Sequence, residues 1–254
     1  MPRAEYGRLL TEAYDLDKPE APAGQCAFYL QEIDQASPPI LALMCGSGRF
    51  LLPLLSRGID ADGVDASADM LEACRRKASE QNLEPALYEQ ALHELALPRT
   101  YGLILIAGGG SIGLVADRDE LREGLRRMYA HLAPGGRLLL EIEPPPAQRG
   151  RRGGVWHGRW WTRPNGDRIV LRSIGEYDPE DHLETGLGIY ELYEGPTLVA
   201  TELNEWIRRF WEPEDFSSEL RAAGFDDIRL TRGFTDDELT GGEEAVTVRC
   251  RKPA

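Results

Sequence analysis

The sequence predicts an α/β protein, a doubly wound and mostly parallel sheet with an antiparallel β insert after the fifth strand. Three observations carry this. Short apolar runs alternate with helix-like stretches five times between residues 40 and 143, the rhythm of a parallel sheet covered on both faces. A glycine turn, Cys45-Gly46-Ser47-Gly48, closes the first of those runs, where such a sheet passes sharply from strand to helix. After Pro144-Pro145-Pro146 the helical period gives way to strand-like segments, and it returns at Glu212.

Taken in order, residues 1–37 read as a helical segment broken at Pro19 and Pro22, because proline cannot continue a helix. Residues 40–44 (Ile-Leu-Ala-Leu-Met) form an apolar run typical of a buried parallel strand. Residues 49–56 follow as an apolar helix closed by Gly58, and residues 59–65 as a second strand. Ser67 is placed to cap the next helix, with Asp69 in its first turn. Residues 87–91 are a weak third strand and residues 101–107 a strong fourth. Residues 118–132 are a helix with Pro134-Gly135-Gly136 as its stop signal, and residues 137–143 are the fifth strand.

In the insert, Asn165-Gly166 marks a hairpin, and about four strands form an antiparallel meander. A helix over 213–223 closed by Gly224, then strands over 225–231 and 245–251, complete the pattern. The expected organisation is an N-terminal segment 1–37, a main domain 38–146 and 212–254, and an insert 147–211 serving as lid or dimer contact.

Composition narrows the function classes. The 254 residues are 42% hydrophobic and 28% charged, enough for one large core plus an insert. The net charge of −14 argues against duplex nucleic acid as the main partner. No apolar run reaches the roughly 18 residues of a membrane span. The start, Met1 to Tyr6, lacks the apolar core of a signal peptide, so a cytoplasmic protein is expected. Cys26, Cys45, Cys74 and Cys250 are scattered without a CxxC pair. They read as reduced thiols, and no metal ligand set is predicted.

The glycine turn carries chemistry. Glycine lets a ligand approach the backbone, and the following helix start offers free N–H groups. The next strand ends Gly63-Val64-Asp65. An acid about 20 residues beyond the turn suits a ribose, so Asp65 is a ribose ligand whichever nucleotide cofactor binds.

Residues 40–77, ILALMCGSGRFLLPLLSRGIDADGVDASADMLEACRRK, resemble the first motifs of class I S-adenosylmethionine-dependent methyltransferases, commonly LDLGCGTGRF and GVDxSxxML. Residues 131–138, HLAPGGRL, are similar to the family's L-x-PGG-x-L, and residues 219–225 resemble its ELRAAGF helix. The resemblance covers about 40–140 and 212–252. It implies a Rossmann-like sheet, S-adenosyl-L-methionine as cofactor, and a small-molecule substrate, since the insert resembles that of sugar N-methyltransferases. It also implies that Gly46 and Gly48 line the methionine part, Asp65 the ribose, and Ser67 and Met70 the adenine. Met44, Ser47, Ala66, Gln90, Ala91 and Ala107 fall in the same cofactor-lining stretches. Gly108, Gly109 and Ser111, after strand four, face the transferred methyl in this fold and are expected on the substrate side, with Trp156 as an aromatic wall. No Asn/Asp-Pro-Pro-Tyr motif stands there, which argues against amide or base amino-group methylation.

Three positions depart from the family. The strand-one acid is Ala42, the first glycine is Met44, and the strand-three acid aligns with Ala91, beside Glu89, Gln90 and His93. Three residues are candidate general bases. Tyr14 stands in a Tyr-Asp pair like that of many relatives, which implies that it also lies close to the cofactor; Glu143 ends the fifth strand, and His157 lies in the insert. The insert is rich in arginine (149, 151, 152, 159, 163, 168 and 172), a local bias suited to an anionic substrate. A homodimer is an expected assembly. Two other readings stand beside the enzyme: a non-catalytic binding protein, and a nicotinamide-dependent oxidoreductase. The PGG segment and the missing third glycine of a Gly-x-Gly-x-x-Gly turn weigh against the second.

Overall fold

The computed structural model describes residues 6–108, 110–146 and 152–254. Gly109, Arg149 and Arg151 lie outside the described residues. The main sheet has seven strands: β1 (Ile40–Leu43), β2 (Ala61–Asp65), β3 (Ala86–Glu89), β4 (Tyr101–Ile106), β5 (Leu132–Ile142), β11 (Asp226–Arg232) and β12 (Val246–Arg251). Their spatial order is β11-β12-β5-β4-β1-β2-β3. β12 alone runs opposite to the other six strands, and Ile40 sits in register with Ala61 on one side and Leu103 on the other. The strand order reverses beside β1 and β4, so a crevice opens past their carboxyl ends. Both strands are buried along their whole length, which is why they read as unbroken apolar runs. One core cluster centres on Leu41, Ile104, Leu138, Phe216 and Trp211, the other on Tyr29, Ile40, Leu51, Leu103 and Leu139.

The helices of this body are α2 (Ala23–Asp34), α3 (Leu51–Leu55), α4 (Ala68–Glu80), α5 (Arg118–His131) and α6 (Pro213–Ala222). The Ser67 hydroxyl accepts from Met70 N at 3.1 Å and caps α4 as its sequence predicts. Two boundaries differ from expectation. The helix after the glycine turn is a single short piece, because residues 46–50 are spent on the turn. The Pro134-Gly135-Gly136 segment is not a gap before β5 but lies within it. Gly135 at φ 74 lets the strand bend, and its N–H reaches the carbonyl of Lys252 at 3.1 Å. Gly102 interrupts the apolar run of β4 for a steric reason: any Cβ there would overlap the Ser37 carbonyl.

Between β5 and α6 stands a second, antiparallel sheet, β6 (Arg152–Gly153), β7 (His157–Thr162), β8 (Arg168–Asp178), β9 (Leu183–Glu194) and β10 (Thr197–Arg209). β8, β9 and β10 are the meander, β7 pairs with β8 across the Asn165-Gly166 turn, and β6 is a short extra strand. The N-terminal helix α1 (Arg8–Asp17) lies on this sheet. Leu9 and Ala13 pack on Ile169 and Leu192. The Glu202 carboxylate accepts from Leu9 N at 2.8 Å and Leu10 N at 3.1 Å, satisfying free N–H groups at the helix start. Glu12 pairs with Arg163, and Asp17 with Arg159. So α1 belongs to the insert as much as to the main body, and it reaches over the open edge of the parallel sheet.

Candidate functional site

A cavity of about 670 Å³ lies at the carboxyl ends of the parallel strands. Gly46, Asp65, Met70, Gln90 and Ala91 form one side, Gly108, Gly110, Ser111 and Glu143 the other. Tyr6 and Tyr14 cover it from the N-terminal segment, and Arg208 enters from β10.

The turn after β1 takes left-handed backbone at Met44 (φ 51), Gly46 (φ 54) and Gly48 (φ 86). Methionine in that region costs about 1–2 kcal/mol relative to a right-handed conformation. Met44 nonetheless lines the cavity and packs on the core. Gly48 serves packing: a Cβ there would stand 2.6 Å from Cys74 Sγ. Ser47 is 1% exposed, and its hydroxyl donates to Asp15 Oδ1 at 2.5 Å. Lys77 Nζ donates to both, at 2.9 Å to Asp15 and 2.8 Å to Ser47. This trio ties α1 and α4 to the turn. Ser47 and Gly48 therefore sit behind the cavity wall, and Ala107 is likewise packed in core.

Asp65 ends β2 and is the centre of the cofactor-side wall. Its two oxygens accept from Gly46 N at 2.8 Å and Ser67 N at 2.9 Å. Burial pushes its pKa above the ordinary carboxylate value, while those backbone donors pull the other way. A carboxylate has about four acceptor positions, so even with Ala66 as a third backbone donor capacity remains for a ribose hydroxyl. Gln90 lines the cavity, but its amide is engaged elsewhere: it donates to Ala96 O at 3.1 Å and accepts from Ala96 N at 2.8 Å. Its neighbours Glu89, Ala91 and His93 share the wall.

On the opposite side, Glu143 leaves the end of β5 and meets Arg208 Nη1 at 2.8 Å. Arg208 also reaches Glu184 at 2.7 Å. Gly110 (φ 68) lies against the Glu143 carboxyl, leaving no room for a Cβ. Beneath this loop, the Tyr29 hydroxyl donates to buried Glu141 at 2.5 Å and accepts from Gly108 N at 3.3 Å. Tyr14 is raised from its ordinary pKa chiefly by burial, and burial pushes Tyr6 up to about 12. Both phenols are protonated at neutral pH.

Of the three candidate bases, Tyr14 and Glu143 face the cavity, whereas His157 lies exposed on β7 outside it. Trp156 is 53% exposed and also outside it. Arg159, Arg163 and Arg172 are paired with Asp17, Glu12 and Glu191, so they offer little to an anionic ligand. Residues that sequence reading missed are Arg208, Tyr6 and Lys18. No motif marks them; Arg208 meets Glu143 only because β10 returns to the main sheet 65 residues later.

Residues 40–136 match a family model described as a methyltransferase domain. The chain is 27% identical over 146 residues to dTDP-3-amino-3,6-dideoxy-alpha-D-glucopyranose N,N-dimethyltransferase of Streptomyces fradiae, covering 55% of each. It is 34% identical over 118 residues to demethylmenaquinone methyltransferase of Thermus thermophilus, covering 45% of this chain and 51% of that protein. The chain thus spans about half the length of these two curated relatives. The solved structure of the CcbJ methyltransferase from Streptomyces caelestis superposes with a TM-score of 0.77 at 21% identity, over 100% of both chains. That likeness reaches across the insert as well as the parallel sheet. Motifs, sheet order and these matches agree in likening residues 40–136 to a methyltransferase domain, on a fold shared with S-adenosylmethionine-dependent methyltransferases of known structure.

Proposed function

We propose that this protein transfers a methyl group from S-adenosylmethionine to a small molecule by direct in-line displacement. The observation that carries the reading is Asp65: a buried carboxylate with spare acceptor capacity, at the carboxyl edge of β2, facing a cavity bounded by the glycine turn. The site fits the cofactor. Asp65 would take the ribose hydroxyls, Ala66 and Met70 would pack beside the adenine, and Ala91 would border it. Gly46 and Met44 would line the methionine part, with the Tyr14 hydroxyl as donor above. When bound, the cofactor supplies a sulfonium-activated methyl group.

The chain's own part is then positioning. Gly108, Gly110 and Ser111 leave space where the nucleophile must approach, and aligning two reactants accounts for much of such catalysis. A nucleophile arriving protonated must lose that proton. Tyr14 is a poor proton acceptor because burial raises its pKa and keeps the phenol protonated. Glu143 is the carboxylate facing this end of the cavity, held in place by Arg208. We assign it as proton acceptor. The small-molecule reading is supported by the relatives named above, one acting on an amino sugar and one on a demethylmenaquinone.

The test is turnover. The protein is incubated with S-adenosylmethionine and a panel of small amines, phenols and alcohols, and S-adenosylhomocysteine is followed by mass spectrometry. Substrate-dependent product, reduced roughly 100-fold in kcat by Glu143→Gln, supports the assignment. Product formation untouched by that substitution removes Glu143 from the reaction. Release of S-adenosylhomocysteine with no member of the panel counts against the enzyme reading.

A further inference from the structure

The inner face of the insert sheet carries a row of missing side chains. Gly175 on β8 pairs with Gly186 on β9, Gly186 pairs with Trp206 on β10, and Gly188 stands two residues further along β9. Glycine inside a strand weakens it and marks a place where something approaches the backbone closely. Here the indole of Trp206 approaches. A Cβ on Gly186 would strike Cε2, Cζ2 and Cη2 of its ring together. An edge would meet one atom first, so the ring lies face down on Gly186. It also covers Gly175 and Gly188, where a Cβ would stand 3.5 and 3.6 Å from ring atoms. One face of the indole is thus seated on backbone, lowered by the depth of a side chain, and the other points away from the sheet. Trp161 and Trp211 have cations or a ring against them; among the described residues neither a cation nor a ring stacks on Trp206.

Its position ties it to the cavity. Side chains alternate along a strand, so Glu202, Asn204, Trp206 and Arg208 share one face of β10. At one end of this row Glu202 holds the start of α1, beside Gly7, and at the other Arg208 meets Glu143. Gly7, Arg208 and Glu143 all line the cavity. Half-buried Trp206 therefore stands on the rim between them, about 7 Å along the strand from Arg208. It supplies on β10 the aromatic surface that Trp156 does not. Stacked rings gain more than their buried area alone provides. A sugar ring would need polar partners for its hydroxyls, and Glu202, Asn204 and Arg208 are already engaged.

We propose that Trp206 is the floor of a second subsite, which takes a planar aromatic ring in the part of the substrate that does not react. That ring lies roughly 7–10 Å from the nucleophile beside Glu143. The assignment rests on the methyl-transfer reading given above and adds to it the chemistry of the substrate's far end.

The test reads Trp206 directly and needs no turnover. The protein is made with 5-fluorotryptophan and saturated with S-adenosylhomocysteine, and its five tryptophan signals are followed by fluorine NMR. Single tryptophan-to-phenylalanine substitutions assign them, Trp206 by elimination if its own variant fails to fold. The probes are 2-phenylethanol, 2-phenylethylamine, 1-butanol and methyl glucoside. The expected result is that both phenyl compounds move the Trp206 signal saturably, at concentrations about tenfold below those needed with the other two, while exposed Trp156 and Trp160 stay in place. Gly186→Ala, which lifts the ring off its bed, should remove that tenfold preference and leave S-adenosylhomocysteine affinity unchanged. A Trp206 signal that ignores the phenyl compounds in protein that binds S-adenosylhomocysteine overturns the subsite and leaves the cofactor reading standing. Equal movement of Trp156 and Trp160, or a preference for 1-butanol or methyl glucoside, also overturns it. Failure to bind S-adenosylhomocysteine removes the cofactor reading, and this assignment with it.

Discussion

Replacing Tyr29 with phenylalanine isolates one buried hydroxyl. The ring is 2% exposed and meets Phe28, Phe50 and Phe234 edge-on at centroid distances of 5.6, 5.1 and 5.9 Å. Phenylalanine keeps all of these and opens no cavity. What disappears is a donor to Glu141, itself 1% exposed, at 2.5 Å, and an acceptor for Gly108 N at 3.3 Å. A hydrogen bond to a buried charged group contributes about 1.5–3 kcal/mol, and an orphaned backbone N–H costs about 1 kcal/mol. The longer bond is the weaker, so the expected destabilisation is about 2–4 kcal/mol. Urea unfolding followed by circular dichroism measures it, with the m-value as a check that the unfolding reaction is unchanged. A cycle with Glu141→Gln separates the pair's own coupling from each residue's other contacts. A loss below about 0.5 kcal/mol would refute the view that this hydroxyl supports both a buried carboxylate and the Gly108 loop.

Other positions give equally direct outcomes. Gly102→Ala forces a Cβ into the Ser37 carbonyl, so it should cost about 3 kcal/mol and lower Tm by ~6–12 °C; an unchanged Tm would mean that the Ser37 backbone yields. Glu202→Ala strips the acceptors from Leu9 N and Leu10 N and should weaken α1 by about 1–2 kcal/mol, seen as faster amide exchange in 8–17 with the main sheet still protected. Asp65 has a folded pKa above its unfolded one, so its ionised form costs stability at neutral pH and that cost lifts as pH falls. Ligand binding runs the opposite way, because the ribose needs the ionised form. Affinity for S-adenosylhomocysteine should fall on acidification at a higher pH than an exposed aspartate would give. In Asp65→Asn that pH dependence should vanish.

Much of the parallel sheet was legible because its strands are buried on both faces. Ile40–Leu43 and Tyr101–Ile106 show it as unbroken apolar runs. The position of Asp65 at the end of β2, on the cavity wall, was legible because a local rule, an acid about 20 residues after a glycine turn, points to it. The details that failed are those where one residue type serves two ends. Pro134-Gly135-Gly136 has the composition of a helix stop, yet a bond from Gly135 to Lys252, distant in sequence, draws it into β5. Gln90 reads as a polar substitute for an adenine ligand, yet Ala96 consumes its amide. Ser47 sits in the motif that lines the cofactor, yet Asp15 and Lys77 turn its hydroxyl away from the cavity. Arg208 and Lys18 carry no motif, since their positions depend on how a second sheet and an N-terminal helix fold back over the crevice.

The most direct measurement is a calorimetric titration of the purified protein with S-adenosylmethionine, S-adenosylhomocysteine, NAD and NADP, beside Asp65→Ala and Asp65→Asn. Binding of the two adenosyl-sulfur ligands alone, weakened about 30-fold or more by Asp65→Ala, is the expected result. A folded wild-type protein that binds neither, or binds them equally well without the Asp65 carboxylate, would contradict the assignment of this cavity to S-adenosylmethionine.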